Sequence, residues 1–432
     1  MRVVVLGGGS SGEHFVGALR RLDGVVEIML VERRLVGGEC SYWACMPTKT
    51  MLRGPELVAA TRRAPGIEPA RLDPVGVFGW RDKVAERDDS SQVEWLAGQR
   101  CELVRGDATV VAPGLISVDG REVEYDRLVV ATGSSPAIPP IPGLDTVDYW
   151  TNVEATETLE VPGSLLVLGG GPVGCELAQF FARVGSTVTL AQGDERLLPR
   201  VDAEAAALVE QGLREDGVDV RLNVEVKAIE ADAAVLELGE RLPFDRLLLA
   251  TGREPNVDGL DALGLTITRG RVEVDERMRA AENVWAIGDV TGIALFTHVG
   301  KYHARIAAYD ISGRKASADH RAIPATIFTD PQVATVGTLQ GKTSSWPLTS
   351  TPRLSTYERP KRPGFVKIAA DPDRRVVTGA VAVGPESGEW LQQLTLAIRA
   401  ETPIEVLLDV IQPYPTFSEA VFLALRGLDL DL

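Results

Sequence analysis

Cysteine, histidine and aromatic residues are scarce in this chain. Its 432 residues include four cysteines and four histidines, and aromatic residues make up 6% of the total. Four cysteines are too few for the disulfide framework of a secreted protein. The chain also lacks an apolar run long enough to cross a bilayer, and it begins on a predicted strand instead of a signal peptide. We therefore expect a cytoplasmic protein that does not span a membrane.

Positive charge is in deficit as well. Lysine and arginine together number 45 against 61 aspartate and glutamate residues, which gives a formal net charge of −16. Because nucleic acids and anionic membranes attract basic surfaces, we expect neither as a partner. The sequence contains no low-complexity segment and no metal-ligand cluster, so we expect no metal site. The length predicts about three domains.

The first 32 residues have the pattern of a β-α-β unit that binds a dinucleotide. A strand leads into a glycine-rich turn and a helix, and the second strand ends at Glu32, twenty positions after Gly12. The glycines let the backbone approach a pyrophosphate, which the helix N-terminus stabilises. The acid is placed to accept hydrogen bonds from an adenosine ribose. The predicted parts are the strand Met1–Leu6, the turn glycines Gly7, Gly9 and Gly12, the helix to about Leu22 and the strand Val26–Val31.

The same arrangement recurs in the middle of the chain. A strand, Leu165–Leu168, precedes a second glycine turn and a helix that carries Glu176, and the next strand, Ser186–Ala191, ends at Gln192 instead of an acid. Elsewhere, two apolar strands end in Ala-Thr-Gly and another ends before Asp289. Taken singly, these are ordinary strand ends and a helix cap, but together they predict two dinucleotide sites. The residues concerned are Gly169, Gly171 and Gly174 in the turn, and Thr132, Gly133, Thr251 and Gly252 in the triplets.

Two of the four cysteines, Cys40 and Cys45, lie directly after the first β-α-β unit, between Gly37-Gly38 and Pro47-Thr48-Lys49. On a regular helix their spacing corresponds to a rise of about 7.5 Å, beyond the roughly 4.4–6.8 Å between Cα atoms that a disulfide tolerates. We therefore predict that Cys40 lies in the irregular start of a helix that Cys45 has already joined. Such a start favours thiolates. The spacing alone also fits two unrelated buried cysteines, but the location favours a redox pair.

With these motifs the chain resembles the pyridine nucleotide–disulfide oxidoreductases, the group that contains dihydrolipoamide dehydrogenase, glutathione reductase and mercuric reductase. The resemblance extends over essentially the whole length, to a C-terminal segment that opens at Ile323–Thr329. It implies an α/β fold with two Rossmann-like domains, one for FAD and one for NAD(P), and a C-terminal α+β dimerisation domain. The implied limits are 1–146 with 254–320 for FAD, 147–253 for NAD(P) and 321–432 for dimerisation. A homodimer is implied because family active sites combine residues of both subunits.

The resemblance also implies roles for single residues. Cys45 would be the flavin-proximal thiol, and Cys40 the outer thiol that attacks the substrate. Lys49 would lie near the flavin and pair with Glu176, although both could also be ordinary surface charges. FAD would be held by Gly7, Gly9, Gly12, Glu32, Thr132, Gly133 and Asp289, and NADPH or NADH by Gly169, Gly171, Gly174, Gln192 and Gly252.

Two departures from the family pattern bear on the reaction. Tyr414 stands where the family has the histidine that serves Cys40, from the partner subunit, as acid and base, in a tail motif that ends at Glu419. A phenol with an ordinary pKa near 10 forms no imidazolium–thiolate pair, so exchange with ordinary disulfides is expected to be slow. Pro172 replaces the bulky residue that covers the nicotinamide pocket in many relatives. This change either opens the flavin face or is simple loop variation.

The ribose end of the second unit departs from the pattern too. Gln192 is neither the carboxylate that repels the 2′-phosphate of NADPH nor the arginine that attracts it. Because Arg196 and Arg200 follow closely, the sequence leans towards NADPH, and the choice stays open. The tail after Glu419 holds no cysteine, so specificity for mercury or thioredoxin is not favoured.

Three functions remain open at this stage. In the first, electrons pass from NAD(P)H through FAD and the Cys40–Cys45 pair to a disulfide or a related small oxidant. In the second, they pass directly from the flavin to a quinone, dye, metal ion or other nucleotide, as in a transhydrogenase. In the third, the protein is a non-catalytic redox sensor that uses the dithiol as a switch.

Overall fold

The computed structural model describes residues 1–430, which form two compact units. The first unit contains Met1–Pro47, Arg81–Ala137 and Arg253–Asp319, and the second contains Thr48–Trp80, Ile138–Gly252 and the chain from His320 onwards. The predicted domain limits stay a prediction, and the last two residues of the predicted dimerisation domain lie outside the described residues. None of the helices among residues 1–430 has both the length and the apolar character that a bilayer span requires.

The first unit is built on a mainly parallel sheet. Its central strands, Arg2–Leu6 and Arg127–Val130, are mostly apolar and buried, as is usual for parallel strands. The helices Ser10–Leu22 and Thr297–Ile311 cover one face, and a small antiparallel sheet covers the other. In sheet order the strands are Arg279–Ala281, Val284–Ala286, Arg127–Val130, Arg2–Leu6, Glu27–Glu32 and Cys101–Arg105. The antiparallel sheet contains Ala108–Ala112, Leu115–Val118 and Arg121–Glu124.

The rest of the first unit consists of short elements. Its strand pairs are Ser134–Pro136 with Arg253–Pro255 and Ile267–Thr268 with Arg271–Val272. Its further helices are Gly38–Tyr42, Ser90–Gly98 and the 3-10 turns Asp261–Leu263 and Gly288–Thr291. Two helices, Cys45–Thr61 and Pro74–Ala85, continue from one unit into the other.

The second unit repeats the parallel architecture and adds an antiparallel sheet. The helices Pro172–Val184 and Ala203–Glu215 pack on one face of the parallel sheet, with Phe180 and Phe181 fully buried. The parallel strands are, in sheet order, Asp219–Arg221, Thr187–Ala191, Ser164–Leu168, Arg246–Leu249 and Tyr149–Trp150. A small sheet of Val226–Ile229, Ala233–Leu236 and Arg241–Pro243 covers the other face. The helix Asn152–Glu157 and the 3-10 turn Leu144–Thr146 belong to the same part of the chain.

The C-terminal part of the second unit is an antiparallel sheet backed by helices. Its strands are, in sheet order, Pro324–Ile327, Val333–Gly337, Val376–Val383, Phe365–Asp371 and Lys342–Pro347. Its helices are Ser387–Trp390, Gln392–Ala400, Ile404–Asp409 and Ser418–Arg426, with 3-10 turns at Leu348–Ser350 and Pro352–Thr356. Two parallel sheets with helices and one antiparallel sheet confirm the predicted α/β fold class with an α+β C-terminal part.

Candidate active site

The redox cysteines lie on two consecutive helices in the first unit. Cys40 is inside the short helix Gly38–Tyr42, and Cys45 is the first residue of the helix Cys45–Thr61. The prediction that Cys45 has joined a helix is therefore confirmed, but Cys40 lies in a separate short helix and not in the irregular start of the Cys45 helix. The short helix ends at Trp43, whose backbone N–H donates to the carbonyl of Glu39 at 2.8 Å. Because the helix is interrupted at Trp43, the rise of a continuous helix does not separate the two sulfurs.

The two sulfurs share a hydrogen-bonding environment with Thr297. Cys40 is hydrogen-bonded to Cys45 and to Thr297, and the Cys45 Sγ lies 3.4 Å from the Thr297 Oγ1. The pKa of the Cys40 thiol is raised, first because its hydrogen bond to Cys45 would be lost on ionisation and then because the thiol is partly buried. The Thr297 hydrogen bond and the charge of Lys301 lower this pKa. The expected thiolate-favouring effect of a helix start is thus outweighed at Cys40. The hydrogen bond to Cys45 therefore favours the protonated form of Cys40.

The first glycine turn is shaped for close backbone approach. Gly7 has a φ of +105°, and a Cβ there would lie 2.3 Å from the carbonyl oxygen of Ala131. A Cβ at Gly12 would lie 2.1 Å from the carbonyl oxygen of Gly7. Gly9, at the start of the helix Ser10–Leu22, has no side chain with which to cap it. No side chain therefore caps the first N–H groups of this helix, and such groups at a helix N-terminus stabilise a pyrophosphate.

Glu32 lies beside this turn at the end of its strand. One carboxylate oxygen accepts from the Gly8 N–H and the other from the Arg34 N–H, both at 2.7 Å. The backbone thus fixes the acid at the position where an adenosine ribose is recognised. These features fit the adenosine and pyrophosphate parts of a dinucleotide.

Asp289 is held by a chain of hydrogen bonds. The Ser134 hydroxyl donates to its carboxylate at 2.6 Å, and Arg253 donates to that hydroxyl at 2.8 Å. The same guanidinium pairs with Glu39, one residue before Cys40, at 2.5 Å. Burial raises the pKa of Asp289, while the Ser134 hydrogen bond and the Arg253 charge lower it. These contacts therefore orient Asp289 and link it to the short helix Gly38–Tyr42, which contains Cys40.

The first Ala-Thr-Gly triplet is fixed by Asn256. The Thr132 hydroxyl donates to the Asn256 carbonyl at 2.6 Å, and the Asn256 side chain donates back to the Thr132 carbonyl at 2.9 Å. The Asn256 N–H also bonds the carbonyl of Gly133, whose φ is +73°. All seven residues predicted to hold FAD therefore lie in the first unit, and their donors and acceptors fit this cofactor. They are Gly7, Gly9, Gly12, Glu32, Thr132, Gly133 and Asp289.

The second glycine turn repeats the geometry of the first. Gly169 has a φ of +109°, and a Cβ there would lie 2.4 Å from the carbonyl oxygen of Ala250; a Cβ at Gly174 would lie 1.9 Å from the carbonyl oxygen of Gly169. Gly171 precedes the helix Pro172–Val184, and Pro172 takes its first position, where a missing N–H costs nothing. Gly252, in the second triplet, has a φ of +127°. The turn has the form of a second dinucleotide site.

Lys49 and Glu176 form an ion pair in the second unit. The Lys49 Nζ lies 2.7 Å from one Glu176 oxygen, and the Phe328 N–H donates to the other at 2.8 Å. The Lys49 ammonium also lies 5.1 Å from the centroid of the Phe328 ring. The Glu176 side chain is only 3% exposed. It is a buried carboxylate with a partner for each oxygen, as a permanent buried charge requires.

Phe328 is positioned by the segment that follows it. The Asp330 N–H donates to the Gln179 side chain at 2.8 Å, and Gln179 donates back to the Asp330 carbonyl at 2.9 Å. Gln179 lies on the same helix as Glu176, so this helix holds the segment at two points. The Asp330 carboxylate is in turn paired with Arg63 at 3.0 Å, Arg183 at 2.7 Å and Arg362 at 2.6 Å.

Of the two tail residues, Tyr414 lies between the last two helices of the second unit and Glu419 lies in the first turn of the last one. The side chain of Tyr414 is 71% exposed. In Glu419, one carboxylate oxygen is buried and has no hydrogen-bond partner among residues 1–430. Several apolar side chains in the same C-terminal part are exposed as well: Leu396, Val406, Val410 and Ile411. The single chain therefore leaves this tail incomplete, as expected if a second subunit covers it.

Thr297, Arg253 and Phe328 were not predicted from the sequence. Thr297 opens an amphipathic helix eight residues after Asp289, and this position was the only local signal for it. Arg253 follows the second Ala-Thr-Gly triplet directly, and Phe328 lies in the segment Ile323–Thr329 that carried part of the resemblance. Each could have been proposed from its place next to a motif, but none has a motif of its own.

Comparison with known proteins defines the class. Residues 1–310 match the family described as "Pyridine nucleotide-disulphide oxidoreductase", and residues 323–425 match its dimerisation domain. The chain belongs to this family, which confirms the resemblance found in the sequence. Members of the family are flavoproteins that use FAD and NAD(P)H. The match to the dimerisation domain indicates a homodimer.

Three relatives illustrate the range of the family. The chain is 32% identical to a mercuric reductase of Staphylococcus aureus over 98% of its own length and 82% of the relative's. It is 31% identical to a dihydrolipoyl dehydrogenase of Thermus scotoductus, with 99% and 97% covered. Among solved structures, the HOCl-induced flavoprotein disulfide reductase RclA from Escherichia coli has a TM-score of 0.87 at 26% identity, with 99% of each chain covered.

Proposed function

We propose that this protein takes electrons from NAD(P)H and delivers them through Cys40 and Cys45 to a disulfide or a related small oxidant. The observation that carries the proposal is the pairing of the two sulfurs with each other and with Thr297. Two thiols that are hydrogen-bonded to each other are neighbours that oxidation can join in a disulfide. The FAD that this family uses supplies the two-electron relay between NAD(P)H and the disulfide.

The thiol steps follow from the order of the sulfurs. Reduction adds two electrons and two protons to the Cys40–Cys45 disulfide and yields two thiols. Cys40 then loses its proton, attacks one sulfur of the oxidant and expels the other sulfur as a thiolate. Cys45 then loses its proton to solvent, attacks the Cys40 sulfur, re-forms the disulfide and releases the second thiolate. The raised pKa of Cys40 makes its deprotonation the demanding step.

The replacement of the family histidine by Tyr414 narrows the range of oxidants. A neutral phenol does not stabilise a Cys40 thiolate as an imidazolium does, and it does not readily protonate a leaving thiolate. General acid–base catalysis contributes about 10²–10⁴-fold. The oxidants that suit this site are therefore those whose leaving thiol is already acidic and needs no proton. The proposal includes the Lys49–Glu176 pair near the flavin ring and Glu419 in the tail motif, as the family resemblance implies.

A second candidate is direct transfer from the flavin to a quinone, dye, metal ion or other nucleotide. It is supported by Pro172, which puts no bulky side chain at the position that covers the nicotinamide pocket in many relatives. A separate solved structure, the Cu(II) complex of RclA, has a TM-score of 0.86 to this chain. Cu(II) therefore belongs among the oxidants to be tested.

One comparison separates these candidates. We expect that wild-type holoenzyme oxidises NAD(P)H with aromatic disulfides, whose leaving thiols are acidic, and that Cys40→Ser abolishes this turnover. If quinone or Cu(II) turnover survives Cys40→Ser while wild type reduces no disulfide, the direct route is correct and our proposal is wrong. If no oxidant supports turnover although NAD(P)H bleaches the flavin, a sensor function is indicated. Cys101→Ser, which alters a buried cysteine outside the pair, is the matched control.

A further inference from the structure

The second glycine turn uses an amide where the first uses an acid. Gln192 Oε1 accepts from the Gly170 N–H at 2.7 Å, just as a Glu32 oxygen accepts from the Gly8 N–H at 2.7 Å. Gln192 thus preserves the hydrogen bond that ties the strand end to the turn. It lacks the negative charge that Glu32 brings to the ribose position. Its side chain has a second group, the amide NH₂, that a glutamate does not have.

This NH₂ group binds a carboxylate. Gln192 Nε2 donates to the Asp194 Oδ2 at 2.6 Å. The Asp194 carbonyl accepts from the Asn223 N–H at 3.0 Å, so the backbone of this loop is fixed as well. Asp194 is exposed and lies in the loop that follows the strand, two residues after Gln192. Asp194 therefore supplies the negative charge that Gln192 lacks, and the Gln192 amide holds its carboxylate in place.

The nearest arginine is committed elsewhere. Arg196 donates to the carbonyls of Val201 at 2.8 Å, Pro199 at 2.6 Å and Leu198 at 3.3 Å. Both terminal nitrogens of its guanidinium donate to backbone oxygens of its own loop. In this arrangement it does not present the open fork that binds a phosphate. Arg196 therefore does not favour NADPH, contrary to the expectation from the sequence.

We propose that Asp194, held by Gln192, makes this enzyme select NADH over NADPH. The proposal rests on the proposed function, in which the second glycine turn binds the pyridine nucleotide. The 2′-phosphate of NADPH would bring up to two negative charges to the edge where the Asp194 carboxylate lies. A free 2′-hydroxyl can instead donate a hydrogen bond to that carboxylate, which is the usual basis of NADH recognition. Coulomb repulsion at this exposed edge corresponds to a preference of about tenfold or more.

The test measures binding without turnover. The probes are ADP-ribose and 2′-phospho-ADP-ribose, titrated by calorimetry into wild-type holoenzyme at low salt. We expect ADP-ribose to bind about tenfold more tightly or better. Asp194→Asn keeps an acceptor for the Gln192 NH₂ group but removes the charge. It should reduce the preference to about twofold or less, mainly by tightening the binding of the 2′-phosphate.

Two further variants sharpen the result. Glu195→Gln removes the same charge from the next exposed residue and should leave most of the preference intact. Adding Gln192→Glu to Asp194→Asn returns a charge to the strand end and should restore the preference. The proposal is overturned if wild type binds the 2′-phosphate equally well, or if Asp194→Asn leaves the ratio unchanged.

Anaerobic reduction of the bound flavin separates this inference from the proposed function. If ADP-ribose shows the expected preference but NADH does not reduce the flavin, the selectivity stands and the proposed function fails. If NADPH reduces the flavin and its 2′-phosphate fragment binds more tightly, the proposed function stands and the role of Asp194 is refuted.

Discussion

The Thr297 hydroxyl is the group in this structure whose removal most directly tests the chemistry of the thiols. It lies 3.4 Å from the Cys45 sulfur and is hydrogen-bonded to Cys40, whose pKa it lowers. Thr297→Val removes the hydroxyl and keeps the branched shape at the start of the helix Thr297–Ile311. The variant loses a hydrogen bond that stabilises the Cys40 thiolate. A smaller fraction of Cys40 should therefore be ionised at any pH below its pKa.

The size of the effect can be worked out from this contact. A hydrogen bond to a charged group contributes about 1.5–3 kcal/mol, and about 1.4 kcal/mol corresponds to a tenfold change in the ionised fraction. The thiolate fraction at neutral pH should therefore fall about ten- to a hundredfold. The rate at which iodoacetamide alkylates the reduced holoenzyme should fall by the same factor, since the thiolate is the reacting species.

The control for this experiment is Thr297→Ser, which retains the hydroxyl and should react within about threefold of wild type. The comparison is made on anaerobically reduced protein from pH 6 to pH 9, with modification of Cys40 and Cys45 read by mass spectrometry. If Thr297→Val is alkylated as fast as Thr297→Ser across this range, the hydroxyl does not stabilise the thiolate and our reading of the site is wrong.

Two further predictions concern the second unit. Asp330→Asn should lower the free energy of unfolding by about 3–5 kcal/mol, because it leaves Arg63, Arg183 and Arg362 without their shared buried anion. These arginines hold the pKa of Asp330 well below its usual range. The difference in the free energy of unfolding between variant and wild type should therefore be full at pH 5–8 and shrink as the pH falls below about 4. A constant difference down to pH 3, measured by urea unfolding, would contradict this. Tyr414→His should speed reduction of aliphatic disulfides by about tenfold or more, measured as NAD(P)H oxidation; an unchanged or lower rate would show that the pocket is built around the phenol.

The local motifs allowed much of the fold to be predicted. Glycine spacing and apolar strands located both dinucleotide turns, and the strand limits differ from the structure by about one residue, as with Arg2–Leu6 for the predicted Met1–Leu6. These features are encoded over short stretches, where backbone sterics decide the outcome. The short helix that contains Cys40 was not predicted, because its end at Trp43 depends on a backbone bond back to Glu39.

Contacts between distant segments could not be read from the sequence in the same way. Thr297 is 252 residues from Cys45, and only the folded sheet brings its helix to the sulfurs. The link from Gln192 to Asp194 is local, but its effect depends on a side-chain rotamer and on the bonds that occupy Arg196. Sequence patterns specify which residue types are present and do not specify which donors are already in use.

The central claim is that Cys40 and Cys45 cycle between disulfide and dithiol during turnover, and a count of free thiols tests it most directly. Holoenzyme is quenched in denaturant with a maleimide, before and after anaerobic addition of NADH or NADPH, and the labels are counted by mass spectrometry. Of the four cysteines, only Cys101 and Cys175 should be labelled in the oxidised protein, and all four after reduction. An unchanged number of labels in a protein that still oxidises NAD(P)H would contradict the account.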